Sequence, residues 1–253
     1  MPGSPSYRFA ARPKWIAGHL LALVAIVGFI NLGFWQLSRH AERSDVNAII
    51  SERFAEPPAI LSDLIGSYGE DADALEFRRV RISGSYLIDE EVLWRARTLN
   101  GRSGHDVLTP LAVGGRVLIV DRGWVPIDAT DPPVVGAEPV AVDVVVSGII
   151  RPGQVRQGLG PIDPETGELD RIARVDIERL QQQLDLDLYP FYVLLEEQSP
   201  AQSSGLPAIQ DPPSPDSGPH LSYAIQWFVF STIAAVGYPI LLRRTARDEE
   251  NLR

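Results

Sequence analysis

Residues 15–37 have the sequence WIAGHLLALVAIVGFINLGFWQL, and residues 221–242 have the sequence LSYAIQWFVFSTIAAVGYPILL. Neither run contains Lys, Arg, Asp or Glu. As a helix, each run is long enough to cross a bilayer core of roughly 30 Å. The two runs argue against a wholly soluble protein. They predict transmembrane helices over residues 15–37 and 220–242, with a short segment, residues 1–14, before the first helix and a tail, residues 243–253, after the second.

The charge of the 253-residue chain is divided unevenly around these two runs. The net charge is −10, of which residues 38–219 account for −14, while the two ends together carry +4. An acidic chain lacks the basic surface that nucleic-acid binding requires, so we expect no nucleic-acid partner. The chain has no cysteine, which excludes disulfides, thiolate metal sites and thiol nucleophiles.

The arginines around the second run predict which side of the membrane the middle faces. Residues 201–219 contain no Lys or Arg, whereas four arginines follow between positions 243 and 253. Because basic residues near helix ends stay cytoplasmic, both termini are expected in the cytoplasm and residues 38–219 outside. The first run ends without a small-residue cleavage site, which favours a retained anchor over a signal peptide. The short segment before it favours a bacterial plasma membrane.

The middle of the chain is predicted to be rich in β-strands. Short β-branched and aromatic runs begin at Phe77, and Asp89-Glu90, Asn100-Gly101 and Gly114-Gly115 separate them as hairpin turns would. Because the connections look short, antiparallel pairing is favoured over parallel strands joined by helices. The predicted fold class is a membrane α+β protein whose two terminal helices flank a mainly antiparallel β domain.

Three further segments of the middle carry local predictions. Residues 38–54 have helical spacing and predict a short amphipathic helix, capped at Ser44 or Asp45 and ended by Pro57 and Pro58. The sequence ERLQQQL at residues 178–184 predicts another short helix. Residues 199–219 are rich in Pro, Ser, Gly and Asp and predict an extended linker that returns the chain to the membrane.

The sequence lacks the usual enzyme motifs. It has no G-x-S-x-G elbow, no P-loop, no Rossmann glycine pattern and no H-E-x-x-H. Carboxylates are so numerous in the middle that spacing singles out no acid and base pair. We therefore expect a protein that is not an enzyme. The alternative is an enzyme, namely an extracytoplasmic hydrolase.

The four histidines are the informative candidate ligands. His19 lies inside the first predicted helix near its cytoplasmic end, His40 just beyond its outer end, His105 in the β domain and His220 at the outer start of the second helix. At 1.5 Å per residue, His19 and His220 differ in depth by roughly 20 Å, which is too far to share one iron. His40 could share an iron with His220.

One face of the second predicted helix has helical spacing from its first residue. Its members are His220, Tyr223, Ala224, Trp227, Ser231, Ala234 and Tyr238. This face offers an imidazole, aromatic rings and small residues that would admit a flat macrocycle. An aromatic belt combined with a small-residue helix contact would have the same pattern.

The first predicted helix has a comparable face, formed by Gly28, Asn31, Trp35 and Arg39, with Gln36 beside it. Asn31 is placed to hydrogen-bond to the second helix. Arg39, at the outer boundary, suits an anionic propionate or a lipid phosphate.

Six segments carry a resemblance to a known family. They are NLGFWQLSRH (31–40), FRRVRISGSY (77–86), GHDVLTPL (104–111), VLIVDRGWVP (117–126), HLSYAIQWFVFS (220–231) and LLRR (241–244). Each segment is a weak pattern alone. Their order, between two terminal apolar runs, resembles the surfeit locus protein 1 family of cytochrome c oxidase assembly factors.

The resemblance implies a non-enzymatic chaperone of the respiratory chain that binds haem a transiently. It would deliver the haem to the catalytic subunit of a haem-copper oxidase, with other oxidase subunits or assembly factors as further partners. The family histidine suggested as an axial ligand of the haem iron falls on His220. We expect Tyr223, Trp227, Trp35 and Arg39 to complete the haem-contacting set.

Two other expectations accompany the resemblance. In the DRGWVP segment, Gly123 is expected to serve a backbone turn and Trp124 to serve packing. The alternative function is a structural accessory subunit that stays in the mature oxidase or a respiratory supercomplex and carries no haem.

Overall fold

The two apolar runs lie in the two longest helices of the structure, a computed structural model that describes residues 7–202 and 204–251. They are α1 (Pro13–Ala55) and α5 (His220–Asn251). Both helices are long and apolar enough to cross a membrane, and most of their apolar surface is exposed. The chain divides into two units: one takes residues up to Ala48 and from Pro215 onward, and the other is Ile49–Ser214.

Helix α1 runs without a break past the end of the apolar run. The predicted separate helix at 38–54, capped at Ser44 or Asp45, is therefore wrong, because these residues continue α1. No Gly or Pro occurs between Gly33 and Pro57, so nothing interrupts the backbone hydrogen bonds of the helix. The predicted end is confirmed, since α1 stops at Ala55 just before the two prolines.

The second unit holds a sheet with three short helices. The described residues form β1 (Ala59–Ile60), β2 (Arg79–Tyr86), β3 (Val92–Leu99), β4 (Arg102–Val113), β5 (Arg116–Pro126), β6 (Val144–Pro152), β7 (Arg171–Ile172) and β8 (Leu188–Ser199). The helices are α2 (Leu61–Tyr68), α3 (Ala72–Leu75) and α4 (Ile177–Gln181). The two predicted glycine turns join β3 to β4 and β4 to β5, and α4 confirms the predicted short helix.

The sheet closes on itself. Its strand order is β1-β2-β6-β8-β5-β4-β3-β7, and a further pairing of β2 with β4 makes a ring of β2, β6, β8, β5 and β4. Side chains from all five ring strands meet in one apolar core. The core includes Val80, Ile82, Leu111, Leu118, Val120, Val146, Ile150, Phe191 and Val193.

The predicted mainly antiparallel sheet is wrong, because the sheet is mixed. Within the described residues, β1–β2, β3–β7 and β5–β8 pair in parallel. Residues 153–187, which contain β7 and α4, join β6 to its antiparallel neighbour β8, and β8 lies between β6 and β5, where it runs parallel to β5. Sequence reasoning weighed the short hairpins and overlooked this one long connection.

A buried ion pair links the sheet to the loop after β5. The side chains of Arg122 and Glu91 are both fully buried, and Arg122 Nη1 lies 3.0 Å from Glu91 Oε2. Arg122 Nη2 donates to the Ala137 carbonyl (2.8 Å), while the Val134 N–H donates to Glu91 Oε1 (2.9 Å). Burial raises the pKa of Glu91 and lowers that of Arg122, although each charge opposes the shift of the other. The pair therefore holds residues 134–137 against the sheet at a desolvation cost.

Replacing Arg122 with Met is expected to lower the free energy of unfolding by about 3–5 kcal/mol, because the Glu91 carboxylate is left buried and unpaired. Arg81→Met, at an exposed position of β2, is the matched control. Chemical denaturation of the full chain in detergent, followed by tryptophan fluorescence, measures both. Equal stability of the two variants would contradict the role given to the pair.

A second buried cluster brings two carboxyl groups together. Asp106 accepts hydrogen bonds from Arg97 Nε and Gln210 Nε2, and Asp121 Oδ1 accepts one from the Gly123 N–H at 3.1 Å. Burial and then the charge of Asp106 raise the pKa of Asp121 well above its ordinary value. Burial also raises the pKa of Asp106, against the opposing effect of Arg97. The folded protein therefore binds a proton here more tightly than the unfolded chain does.

We expect the stability of the protein to fall as pH rises from about 4, where the unfolded aspartate ionises, toward the raised folded-state pKa of Asp121. Asp121→Asn keeps the oxygen that accepts from Gly123 and removes the ionisation. Its free energy of unfolding at neutral pH should therefore exceed that of the native chain, with a smaller fall above pH 4. Denaturant titrations across pH test this, with exposed Asp128→Asn as the control. A native pH profile retained by Asp121→Asn would refute it.

Candidate functional site

The candidate site lies in the helix pair formed by α1 and α5. Gln36 Oε1 lies 2.8 Å from His220 Nδ1, and the Tyr238 hydroxyl lies 2.7 Å from His19 Nδ1. Residue numbers rise along α1 as they fall along α5, so the helices are antiparallel. At 1.5 Å per residue the two hydrogen bonds are about 26 Å apart along the pair. Polar contacts thus join the helices near both ends of their apolar segments.

Close packing fills the space between these two hydrogen bonds. A Cβ atom at Gly33 would come within 2.7 Å of the Phe228 ring, so a larger residue at this position of α1 would have to displace that ring. The Trp227 ring stacks on Phe29 with centroids 5.6 Å apart. Of the predicted face of α5, Ala224 and Ser231 are 1% and 6% exposed. The small residues of this face are therefore used in contact with α1.

The hydrogen bond to Gln36 determines the state of the His220 ring. An amide oxygen can only accept, so this contact favours the neutral tautomer with its proton on Nδ1, in which the lone pair lies on Nε2. Among the described residues Nε2 has no hydrogen-bond partner, and the residue is partly exposed. A Cβ at Gly218 would stand 3.5 Å from Nε2, so any side chain there would contact this nitrogen, and glycine avoids that contact.

The turn before α5 is held on α1 by polar contacts that sequence reasoning missed. The Asp216 N–H donates to Asn47 Oδ1 (3.0 Å), and Asn47 Nδ2 donates to Ser217 Oγ (3.3 Å). Asp216 Oδ1 in turn accepts from the Gly218 N–H at 2.8 Å. These bonds place the first residue of α5 at a defined height on α1. A lone asparagine in a polar helical segment carries no sequence signal for such a contact.

The ring nitrogens of the other three histidines lie in different surroundings. His19 contacts Tyr238 through Nδ1 and the Ala10 carbonyl through Nε2, at 3.1 Å. His40 lies one turn beyond Gln36 on α1, and its Nδ1 is buried without a partner among the described residues. His105 is buried in the β domain, and burial lowers its pKa. Of these four histidines, His220 combines a hydrogen bond from one ring nitrogen to the other helix with an Nε2 that has no partner among the described residues.

The remaining residues of the predicted haem-contacting set do not all lie in the same surroundings. Trp227 packs in the helix pair, as described above. Tyr223 and Trp35 are 45% and 54% exposed. Arg39 is exposed and pairs with Glu42 on its own helix, one turn away. Trp227 and His220 thus both contact α1, whereas Tyr223, Trp35 and Arg39 lie on the exposed surface.

The predicted contact of Asn31 with the second helix is wrong. Asn31 Nδ2 donates to the Val27 carbonyl of its own helix at 2.7 Å, and the residue is exposed. The face of α1 toward α5 holds Phe29, Gly33 and Gln36 instead. The face of α1 that was predicted to contact α5 is therefore not the face that packs against it.

The structure confirms the packing role predicted for Trp124, whereas Gly123 lies within β5 at a shift in its register with β4 and not in the predicted turn. Gly123 has a φ of +120°, and a Cβ there would lie 2.4 Å from the Ala208 carbonyl oxygen, so the position needs glycine. Trp124 is buried against Gly104 of β4. Both residues serve the fold of the β domain.

Comparison with known proteins relates most of the chain to one family. The model of the SURF1 family matches residues 23–232. Uncharacterized SURF1-like proteins of Mycobacterium bovis and Mycobacterium tuberculosis are each 32% identical over 92% of this chain and 85% of their own length. A SURF1-like protein of Rickettsia felis is 24% identical over 89% of this chain and 96% of its own. The chain belongs to the SURF1 family.

Proposed function

We propose that this protein is a non-enzymatic assembly factor for haem-copper cytochrome c oxidase that binds haem a through Nε2 of His220. The observation that carries the proposal is the 2.8 Å contact between Gln36 Oε1 and His220 Nδ1, with no partner for Nε2 among the described residues. A neutral imidazole with a free lone pair is the form that ligates haem iron. Membership of the SURF1 family supports the oxidase as the destination of the haem.

The residues around His220 suit a metal that is already bound by a macrocycle, as the iron of haem is. Among the described residues, no group of three or more His, Cys, Asp or Glu side chains could hold a bare metal ion. Haem iron already has four nitrogen ligands, so one imidazole and an apolar surface are what the protein must add. Tyr223, Trp35 and Trp227 would contribute aromatic surface, and Arg39 would bind a propionate.

The exposed apolar faces of α1 and α5 support a membrane location. Side chains such as Leu21, Val24 and Phe34 on α1 and Ile233 on α5 are more than half exposed, and lipid would cover them. In this proposal both helices span a bacterial plasma membrane, with both termini in the cytoplasm. Residues 38–219 lie outside, and His220 lies at the outer membrane boundary. A partly exposed, single-histidine site there would allow the haem to pass on to the oxidase catalytic subunit.

Loss of the His220 imidazole should abolish specific haem binding. Changes beside a metal ligand cost about 10- to 100-fold in affinity, so we expect His220→Ala to weaken haem a binding by roughly 100-fold or more. Full-length protein in lipid nanodiscs is titrated with haem a and followed by absorption spectroscopy. Gln226→Ala is the matched control, because Gln226 is exposed on the same helix.

Identical spectra and affinities for the native chain and His220→Ala would refute His220 as the ligand. A second measurement separates assembly from structural function. Affinity-purified, fully assembled oxidase should contain little of this protein. Stoichiometric amounts in the mature enzyme would instead favour the structural accessory subunit.

The absence of native cysteine makes the proposed orientation directly testable. Single-cysteine variants Asp211→Cys and Asp248→Cys place one thiol at an exposed position in each predicted compartment. A membrane-impermeant maleimide added to intact spheroplasts should label position 211, and position 248 only after permeabilisation. The reverse pattern would invert the orientation, and labelling of both sites in intact spheroplasts would exclude it.

A further inference from the structure

We infer that Gln36 is a positioning residue for His220, because it selects the tautomer with the proton on Nδ1. As a neutral acceptor, it also keeps the bond from Nε2 to the haem iron weak enough for release. The inference rests on the proposed function and goes beyond it, because it assigns control of the site to a residue on the other helix. The structural basis is the 2.8 Å contact between Gln36 Oε1 and His220 Nδ1.

Without an acceptor at Nδ1, either ring nitrogen of a neutral histidine can carry the proton. When the proton is on Nε2, the lone pair needed by a metal is on Nδ1, which points at α1 and away from the open side of the ring. Gln36 removes this competition before any ligand arrives. A metal-binding histidine depends on such a partner for its tautomer and its ring orientation.

The chemical nature of the acceptor also matters. A carboxylate at this position would make a charge-assisted hydrogen bond roughly twice as strong as that of an amide, and would make Nε2 a better donor to iron. An amide supplies the orientation without that increase. A protein that hands its haem to another protein requires orientation and release together, and glutamine satisfies both.

The position of Gln36 opposite His220 is set by contacts on both sides of it. Gly33, one turn earlier on α1, packs against the Phe228 ring, and Asn47, three turns later, binds the turn that precedes α5. Gln36 and His220 therefore meet through packing and hydrogen bonds that do not involve the two side chains themselves. Changing Gln36 should leave the helix pair assembled and alter only the imidazole.

The test compares three variants of the full chain in lipid nanodiscs. Gln36→Leu removes the acceptor, and Gln36→Glu keeps an acceptor of nearly the same shape. Gln226→Leu is the matched control, because Gln226 is exposed on α5. The first readout needs no haem: the ring ¹⁵N chemical shifts at alkaline pH distinguish a protonated from an unprotonated Nε2. The signals of His220 are assigned from their loss in His220→Ala.

We expect Nε2 of His220 to be unprotonated in the native chain, in Gln36→Glu and in Gln226→Leu, and to become partly protonated in Gln36→Leu. With haem a, Gln36→Leu should bind about 10- to 100-fold more weakly than the native chain. Gln36→Glu should bind more tightly and release haem more slowly. The control should bind like the native chain.

An unchanged His220 tautomer in Gln36→Leu would overturn the inference, even if the native chain binds haem a. So would faster haem release from Gln36→Glu than from the native chain. Failure of the native chain to bind haem a would refute the proposed function. In that case the ¹⁵N spectra still decide whether Gln36 sets the tautomer, so the two failures are distinguishable.

Discussion

The pairing of α1 with α5 depends on polar side chains finding partners within an otherwise apolar helix pair. A buried imidazole nitrogen without a hydrogen bond is costly. His19 with Tyr238, and Gln36 with His220, satisfy this requirement at the two ends. The register of the helices is set mainly by the packing of Gly33 against Phe228 and by the bonds of Asn47 to the turn before α5, and the two polar pairs form within that register.

In the β domain, by contrast with the helix pair, several of the buried polar groups are carboxyl or guanidinium groups. There Glu91, Arg122, Asp106 and Asp121 lie buried with protein partners, and burial shifts their pKa values in the direction of the neutral forms. These groups bind loops and strands of the domain to one another, so their polar atoms hold the fold together.

Sequence patterns predicted the elements better than their contacts. The sequence was enough to locate both apolar helices, the end of α1 before Pro57 and the start of α5 at His220. The antiparallel prediction failed because β8 reaches β5 through a connection whose destination depends on the whole sheet. The face of α1 was misassigned because Asn31 and Gln36 are both polar and both near the boundary. Which one meets α5 depends on where Gly33 permits close approach.

The contrast between His19 and His220 shows how one pair of helices can use the same side chain differently. Both nitrogens of His19 are occupied, one by a tyrosine hydroxyl and one by a backbone carbonyl, so its imidazole can only join segments of the chain. His220 has one nitrogen occupied by an amide, beside a glycine that offers no side chain to the other. An imidazole held at one nitrogen and open at the other has a defined orientation and a vacant donor. In a carrier, that combination lets the helix pair stay assembled while the ligand comes and goes.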